Sequence, residues 1–283
     1  MKCYLCGNTE HLYVKGQVRD NFDIKIRKCS SCGLVFLDDS SHIDDKFYEN
    51  NGMEKTINLN CNFAQTDSVD TQKRINLYQK KLINKRVLDF GCGSGSFLSR
   101  IKKENISSQL YALEPNQKHF NFLNSNFTLY KSIDEIPDKS LDFITMFHVM
   151  EHLKNPLEIL QALYNKLDEH GKIIIEIPNC DDALLSLYDN DPFSNFTYWS
   201  CHLYLFNNET LKTLLEKTPY KIDYIKQYQR YSFANHIHWL AKGKPGGHIE
   251  WGFLDDEKLQ SIYEEKLAEL GKCDSIIAMI SKE

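Results

Sequence analysis

From Arg86 onward, short apolar runs alternate with longer amphipathic stretches. Val87 to Phe90, Gln109 to Leu113, Asp142 to Met146 and Lys172 to Ile177 have the length and character of buried strands. Ser96 to Lys103, Asn116 to Leu123 and Pro156 to Leu167 have the spacing of helices. Strand-helix alternation of this kind predicts an α/β fold, a parallel sheet covered on both faces. A further helix over Asn208 to Lys217 is followed by strand-like segments at Tyr220 to Gln227 and Asp274 to Ile280. The aromatic and histidine-rich stretch between them, about 229 to 272, is a candidate cap-like insertion.

The first forty residues have a different rhythm. Apolar and polar positions alternate over His11 to Lys15 and Phe22 to Lys28, and Gly33 to Leu37 follows, which predicts the short strands of a ribbon. A polar, acidic stretch comes next, then a helix capped by Asp67 or Ser68 and running to about Ile83. The expected organisation is a ribbon over 1–40, a linker over 41–66 and the α/β domain over 67–283.

Composition narrows the class. With 283 residues the chain has room for one catalytic domain and one small module. No run approaches a membrane span, and the N-terminus enters cysteine spacing without an apolar signal core, so a cytoplasmic protein is expected. The net charge of −5 makes nucleic acid an unexpected partner. Of nine cysteines, four form two Cys-x-x-Cys pairs, Cys3/Cys6 and Cys29/Cys32. Four soft ligands at this spacing suit a tetrahedral structural zinc, with no open position for water. Cys61, Cys92, Cys180, Cys201 and Cys273 read as core or cleft thiols.

The strongest chemical signal is Val87-Leu88-Asp89-Phe90-Gly91-Cys92-Gly93-Ser94-Gly95, an apolar strand running into three alternating glycines and then a helix. Gly91, Gly93 and Gly95 let the backbone turn tightly and approach a ligand. A dinucleotide fingerprint starting at Gly91 needs glycine at position 96, which is Ser96, so NAD is disfavoured. Asp89 would repel a pyrophosphate but suits the ammonium of a methionine moiety. Glu114 ends the next strand nineteen residues past Gly95, near the spacing of a ribose-binding acid.

These segments resemble the first and second motifs of class I methyltransferases that use S-adenosylmethionine (SAM), over about residues 70 to 228. The resemblance implies a Rossmann-like sheet, mostly parallel with an antiparallel last strand, and SAM bound by Asp89, Gly91, Gly93, Gly95 and Glu114. Phe147 to Leu153 and His202 to Phe206 are similar to the branch holding small-molecule O-methyltransferases and sugar C-methyltransferases, several of which carry an N-terminal zinc module. The large C-terminal domain of the latter is not expected here, so C-methylation of a keto-sugar is not expected either. His238 to His248 and Cys273 to Ala278 resemble methyltransferases of bacterial capsule and lipopolysaccharide clusters.

His148-Val149-Met150-Glu151-His152 also matches the H-x-x-E-H signature of inverted zinc peptidases, which needs a helix. Its place directly after a sheet strand, where doubly wound folds bind ligands, favours a site motif instead. Glu151 and His152 then offer an orienting acid and a base, His202 a second base, and His148 a residue lining the cofactor cleft; a backbone-satisfied histidine is the plain alternative. Tyr198, Trp199, Tyr231, His236, His238, Trp239 and His248 suit either stacking on sugars or bases, or core packing.

The function expected from the sequence is SAM-dependent O-methylation of a sugar or sugar nucleotide in surface polysaccharide synthesis, with a small-molecule carbohydrate acceptor and no nucleic acid. Two alternatives stand beside it. One is an rRNA methyltransferase with a zinc module, against which the ribbon's balance of +3 over residues 1–32 is offset by the −2 of a four-thiolate zinc. The other is a non-catalytic zinc-ribbon and SAM-binding interaction protein.

Overall fold

The computed structural model describes residues 1–44, 46–50, 52–55 and 63–282. Part of the expected linker, including Cys61, lies outside the described residues, as does the side chain of Asp67. The strands in chain order are β1 (His11–Tyr13), β2 (Ile26–Cys29), β3 (Val35–Leu37), β4 (Val87–Phe90), β5 (Leu110–Leu113), β6 (Thr128–Tyr130), β7 (Leu141–Phe147), β8 (Leu167–Pro178), β9 (Tyr204–Leu205), β10 (Lys221–Tyr228) and β11 (Ser275–Ser281). No helix among the described residues is long and apolar enough to cross a membrane.

The chain divides into two compact units. One comprises Met1–His42, Ile177–Leu214 and Ile225–Ile277; the other comprises Ile43–Glu176, Leu215–Tyr224 and Ala278–Glu283.

In the first unit, β1, β2, β3 and β9 form an antiparallel sheet in that order. The fourth strand comes from the His202 to Phe206 segment: Leu205 pairs with Val35 and Tyr204 with Phe36. Short ribbons have too little core to stand alone, and a strand borrowed from far along the chain adds apolar cover to Val35 and Phe36, both buried. The aromatic and histidine-rich region supplies this unit's packing. Trp239, on the helix Phe233–Lys242, lies 5.1 Å from the rings of both Phe193 and Phe196. His236 is buried and its pKa is pushed down to about 4 by burial, which keeps the ring neutral. His238 is fully buried, with Nδ1 on the Lys244 carbonyl and Nε2 on Glu250. For Tyr198, Trp199, His236, His238 and Trp239, packing is what the structure shows.

The second unit holds most of a seven-stranded sheet of order β10-β11-β8-β7-β4-β5-β6, in which the pairs β4/β5, β4/β7, β5/β6 and β7/β8 are parallel. This is the Rossmann-like, mostly parallel arrangement expected from the alternating pattern. The helix expected from Asp67 or Ser68 starts earlier and spans Phe63–Leu82. Its Ile75, Tyr78 and Leu82 pack with Val87 of β4 and with Phe97, Leu98 and Ile101 of the helix Ser96–Lys103. Removing any one of these side chains would leave a cavity costing about 2–5 kcal/mol.

Candidate functional site

At the carboxyl end of β4 the chain turns through three glycines, all with positive φ. A side chain on Gly91 would stand 2.8 Å from the Val149 methyl, so that glycine is required by packing. At Gly93, φ 54°, a Cβ would meet nothing within 4 Å. The backbone of the loop is therefore open on that side at Gly93.

Glu114, at the end of β5, is buried and clamps this loop. One carboxylate oxygen accepts the Gly93 N–H at 2.7 Å and the other accepts the Asn116 N–H at 2.8 Å. Burial pushes its pKa up, against the lowering effect of these two N–H groups. Each oxygen keeps a lone pair, so the clamp leaves the carboxylate able to accept two further hydroxyls. Asp89 is buried on the same edge, and its Oδ1 accepts from Thr145 Oγ1 on β7 at 2.6 Å. An exposed carboxylate would be free to reorient; one bonded to a neighbouring strand presents its remaining lone pairs in a fixed direction. At Cys92, burial together with the charges of Asp89 and Glu114 raises the pKa, keeping it a thiol.

The H-x-x-E-H segment is not helical. β7 ends at Phe147, His148 takes φ 54°, and Met150–His152 form a single 3-10 turn before Leu153 extends. The signature of inverted zinc peptidases, which places its ligands on helix turns, is thus not met. Glu151 is fully buried and His152 nearly so. A Glu151 carboxylate oxygen lies within 4.8 Å of a His152 ring nitrogen, and the Tyr48 hydroxyl donates to the His152 carbonyl at 3.1 Å. His202 belongs to the other unit, on the turn into β9, where its N–H donates to the Trp199 carbonyl and its ring packs against Trp199.

Sequence reasoning passed over Arg74 and Glu176. Arg74 projects from the helix Phe63–Leu82 and makes a two-pronged bond to Glu176, Nη2 to Oε1 at 2.7 Å and Nε to Oε2 at 3.1 Å. Glu176 is also 3.1 Å from His148 Nε2. Burial alone would raise the Glu176 pKa, but the Arg74 charge and the His148 bond outweigh it and hold the carboxyl well below the usual range. A single acid inside the run Ile173-Ile174-Ile175-Glu176-Ile177 was the available signal, because a carboxylate in a buried strand must be paired.

In the first unit, Cys3, Cys6, Cys29 and Cys32 converge, with all four sulfurs within 4.8 Å of one another. Cys3 and Cys32 are 3.5 Å apart, as are Cys6 and Cys29, far beyond a disulfide length of about 2.05 Å. Thiolates about 2.3 Å from a tetrahedral zinc would stand roughly 3.8 Å from one another, so the cluster fits that ion. The two halves are built alike. Gly7 donates to the Cys3 carbonyl and Gly33 to the Cys29 carbonyl, each glycine in the left-handed region just after its Cys-x-x-Cys. Burial raises the pKa of Cys3 and Cys32, whereas at Cys29 the N–H groups of Cys32 and Ser31 and the Cys6 thiol outweigh burial and bring it down to about 6.

Comparison with known proteins adds identity to this geometry. A family model described as a methyltransferase domain matches residues 67–225. A SAM-dependent methyltransferase from Archaeoglobus fulgidus superposes with a TM-score of 0.53 at 26% identity, covering 77% of this chain and 94% of that one. A tRNA U34 carboxymethyltransferase from Pseudoalteromonas atlantica is 34% identical over 113 residues, 37% of this chain and 35% of that relative. A second, from Helicobacter acinonychis, is 31% identical over 116 residues, 36% of this chain and 44% of the relative. The chain thus spans less than half the length of these curated relatives. They overturn the expectation of a small-molecule carbohydrate acceptor with no nucleic acid involved, since the proteins it resembles are named for a tRNA substrate. The acidic net charge that suggested otherwise is an average over the whole chain and says nothing of any one face.

Proposed function

We propose that this chain, which belongs to the methyltransferase-domain family, transfers the methyl group of SAM to a nucleotide of RNA, with transfer RNA the first acceptor class to test. The observation that carries the RNA reading is the similarity to the two tRNA U34 carboxymethyltransferases, 34% and 31% identical. An RNA-modifying role also suits a cytoplasmic protein with reduced thiols.

SAM supplies a methyl group already activated by its sulfonium, so the protein's task is alignment and exclusion of water. Gly91, Gly93 and Gly95 admit the cofactor to the backbone, Glu114 accepts its ribose hydroxyls, and Asp89 faces its ammonium. His148 borders the same cleft. At the acceptor, His152 takes the proton released as the nucleophile is alkylated, with Glu151 fixing the tautomer of its ring; His202 is the second candidate for this proton. General-base help of this kind contributes about 10²- to 10⁴-fold. Cys3, Cys6, Cys29 and Cys32 hold a structural zinc in a ribbon over 1–40, joined by a linker over 41–66 to the catalytic region over 67–283, of which 229–272 is an insertion.

The test is transfer of radiolabelled methyl from SAM to total tRNA, to ribosomal RNA and to a panel of sugar nucleotides by the purified protein. Label in tRNA is expected, and its loss in His152→Ala by at least about 10²-fold. Label in the sugar nucleotides alone would sink the RNA reading while leaving the methyltransferase intact.

A further inference from the structure

A cleft of about 180 Å³ lies within the first unit, between the ribbon and the segment that follows β8, and none of its lining residues has a place in the chemistry proposed above. Val14, Val35 and Leu185 supply apolar walls. Lys28, which also lines the cleft, stands directly opposite Val35 in the β2/β3 pair, so both side chains face the same side of the sheet. The next residue along β2 is Cys29 of the cysteine centre. Tyr198 lines the cleft as well, and its ring is held tightly: a Cβ on Gly16, φ 113°, would stand 2.9 Å from it.

Most polar groups of the lining are already engaged. Lys15 is neutralised by Asp189 at 2.8 Å and Asp191 at 2.5 Å. The Ser186 and Ser194 hydroxyls donate to the carbonyls of Asp181 and Asp191, and the Asn190 side chain accepts from the Phe193 N–H and donates to the Trp239 carbonyl. Burial pushes the Cys180 thiol up to about 12, so it stays neutral. Three groups are left. The Lys28 ammonium has no ion-pair partner among the described residues. Tyr198 is 3% exposed, yet its hydroxyl has no hydrogen-bond partner among the described residues, and burial raises its pKa, so it stays an O–H donor. Asp181 accepts from Asn207 Nδ2 at 2.9 Å and, as a carboxylate, has further lone pairs. Leaving a buried hydroxyl unpaired is unfavourable where a phenylalanine ring would pack equally well, so this tyrosine points to a ligand.

A ligand that satisfies all three groups carries a negative charge, a hydrogen-bond acceptor and a hydrogen-bond donor on a body with apolar faces. A cavity of about 150 Å³ takes a benzene ring, so the volume suits a single six-membered ring. Both pyrimidines of RNA set a donor beside an acceptor on their pairing edge, and an unpaired base offers that edge to protein. We propose that this cleft binds an unpaired pyrimidine nucleotide of the RNA, Asp181 accepting the amino or imino N–H of the base, Tyr198 donating to the neighbouring acceptor and Lys28 meeting the phosphate. The assignment to RNA rests on the reading of the chain as an RNA methyltransferase; the chemistry of the cleft does not.

Methyl NMR spectra of the intact protein, titrated with CMP, UMP, AMP and GMP, need neither acceptor RNA nor turnover. CMP or UMP should shift the Val14, Val35 and Leu185 methyls saturably, cytidine and uridine should bind about tenfold more weakly, and inorganic phosphate alone should leave these methyls unmoved. Lys28→Gln should weaken pyrimidine nucleotide binding about tenfold and Tyr198→Phe about fivefold, both with SAM affinity unchanged. The proposal is overturned if no nucleotide moves the methyls, if AMP and GMP bind as tightly as the pyrimidine nucleotides, or if phosphate alone reproduces the shifts. With tRNA as methyl acceptor, Lys28→Gln should raise KM at least about fivefold and leave kcat within about twofold. Methylation of tRNA by a protein whose methyls no nucleotide moves defeats the cleft and spares the RNA reading. Binding of CMP or UMP by a protein that methylates no RNA defeats the RNA reading, and with it the assignment of this cleft to RNA.

Discussion

In the cysteine centre each pair of ligands comes from a single tight turn, and the two turns are built from the same hydrogen bonds around Gly7 and Gly33. At the carboxyl edge of the sheet, the charged group is assembled from a helix, a strand end and a loop, and Arg74 and Glu176 stand 102 residues apart in the chain. The first arrangement is written in local spacing. The second exists only once β7, β8 and the helix Phe63–Leu82 have packed. Local motifs of the first kind depend on their ion for stability, whereas assembled ones depend on every partner staying charged.

The largest expected effect lies at the cysteine centre. Purified protein should carry one zinc per chain, and Cys29→Ser combined with Cys32→Ser should reduce it to near none, because two thiolates cannot replace four. Structural zinc sites contribute on the order of 10–16 kcal/mol of binding energy that is also folding energy. Elemental analysis with amide exchange over residues 1–40 checks this. Full zinc content in the double variant would remove the centre from the comparison.

The assembled group should respond less, and through charge. Arg74→Ala strands the Glu176 carboxylate in the interior and should cost about 3–5 kcal/mol, measured by denaturant unfolding at neutral pH. The pH dependence has a definite sign. Glu176 is held well below its ordinary 4.5, so below that value the folded chain binds fewer protons than the unfolded one. The stabilisation is therefore fully present above about pH 4.5 and lost as the pH falls further. Glu176→Gln should flatten that acid limb. An unchanged limb would show that the ion pair does not control it.

The same contrast explains what was legible in the sequence. Val87–Phe90 and Ser96–Lys103 form as the pattern predicts, because apolar periodicity and a glycine turn are local and agree with each other. β6, three residues long, and β9, two residues long, are too short to show a period, and β9 is a strand only because Val35 and Phe36 offer it an edge. The H-x-x-E-H segment was ambiguous because its spacing fits a helix, whereas β7 consumes the chain up to Phe147 and leaves room for one turn. Arg74 looked like one more polar residue on a helix, since nothing near it in sequence reveals Glu176. The buried histidines and tryptophans were undecided because stacking and packing use the same side chains.

The smallest effect expected is at Glu114, and it probes the boundary between the two kinds of site. Its place past the glycines is a matter of spacing, but its carboxylate is tied to the Gly93 and Asn116 N–H groups by the fold. Glu114→Ala removes the clamp and, with it, the proposed acceptor of two ribose hydroxyls, bonds to a charged group worth roughly 1.5–3 kcal/mol each. SAM affinity measured by calorimetry should weaken by at least about a hundredfold. Loss of the clamp alone would also weaken binding, so the informative comparison is with an S-adenosylhomocysteine analogue that lacks the 2′- and 3′-hydroxyls. If Glu114 accepts those hydroxyls, the wild-type protein prefers the complete molecule and Glu114→Ala abolishes the preference. If its work is confined to holding the Gly93 loop, both ligands weaken by the same factor and the preference survives, which would move ribose recognition to another residue and leave Glu114 as a purely assembled feature of the fold.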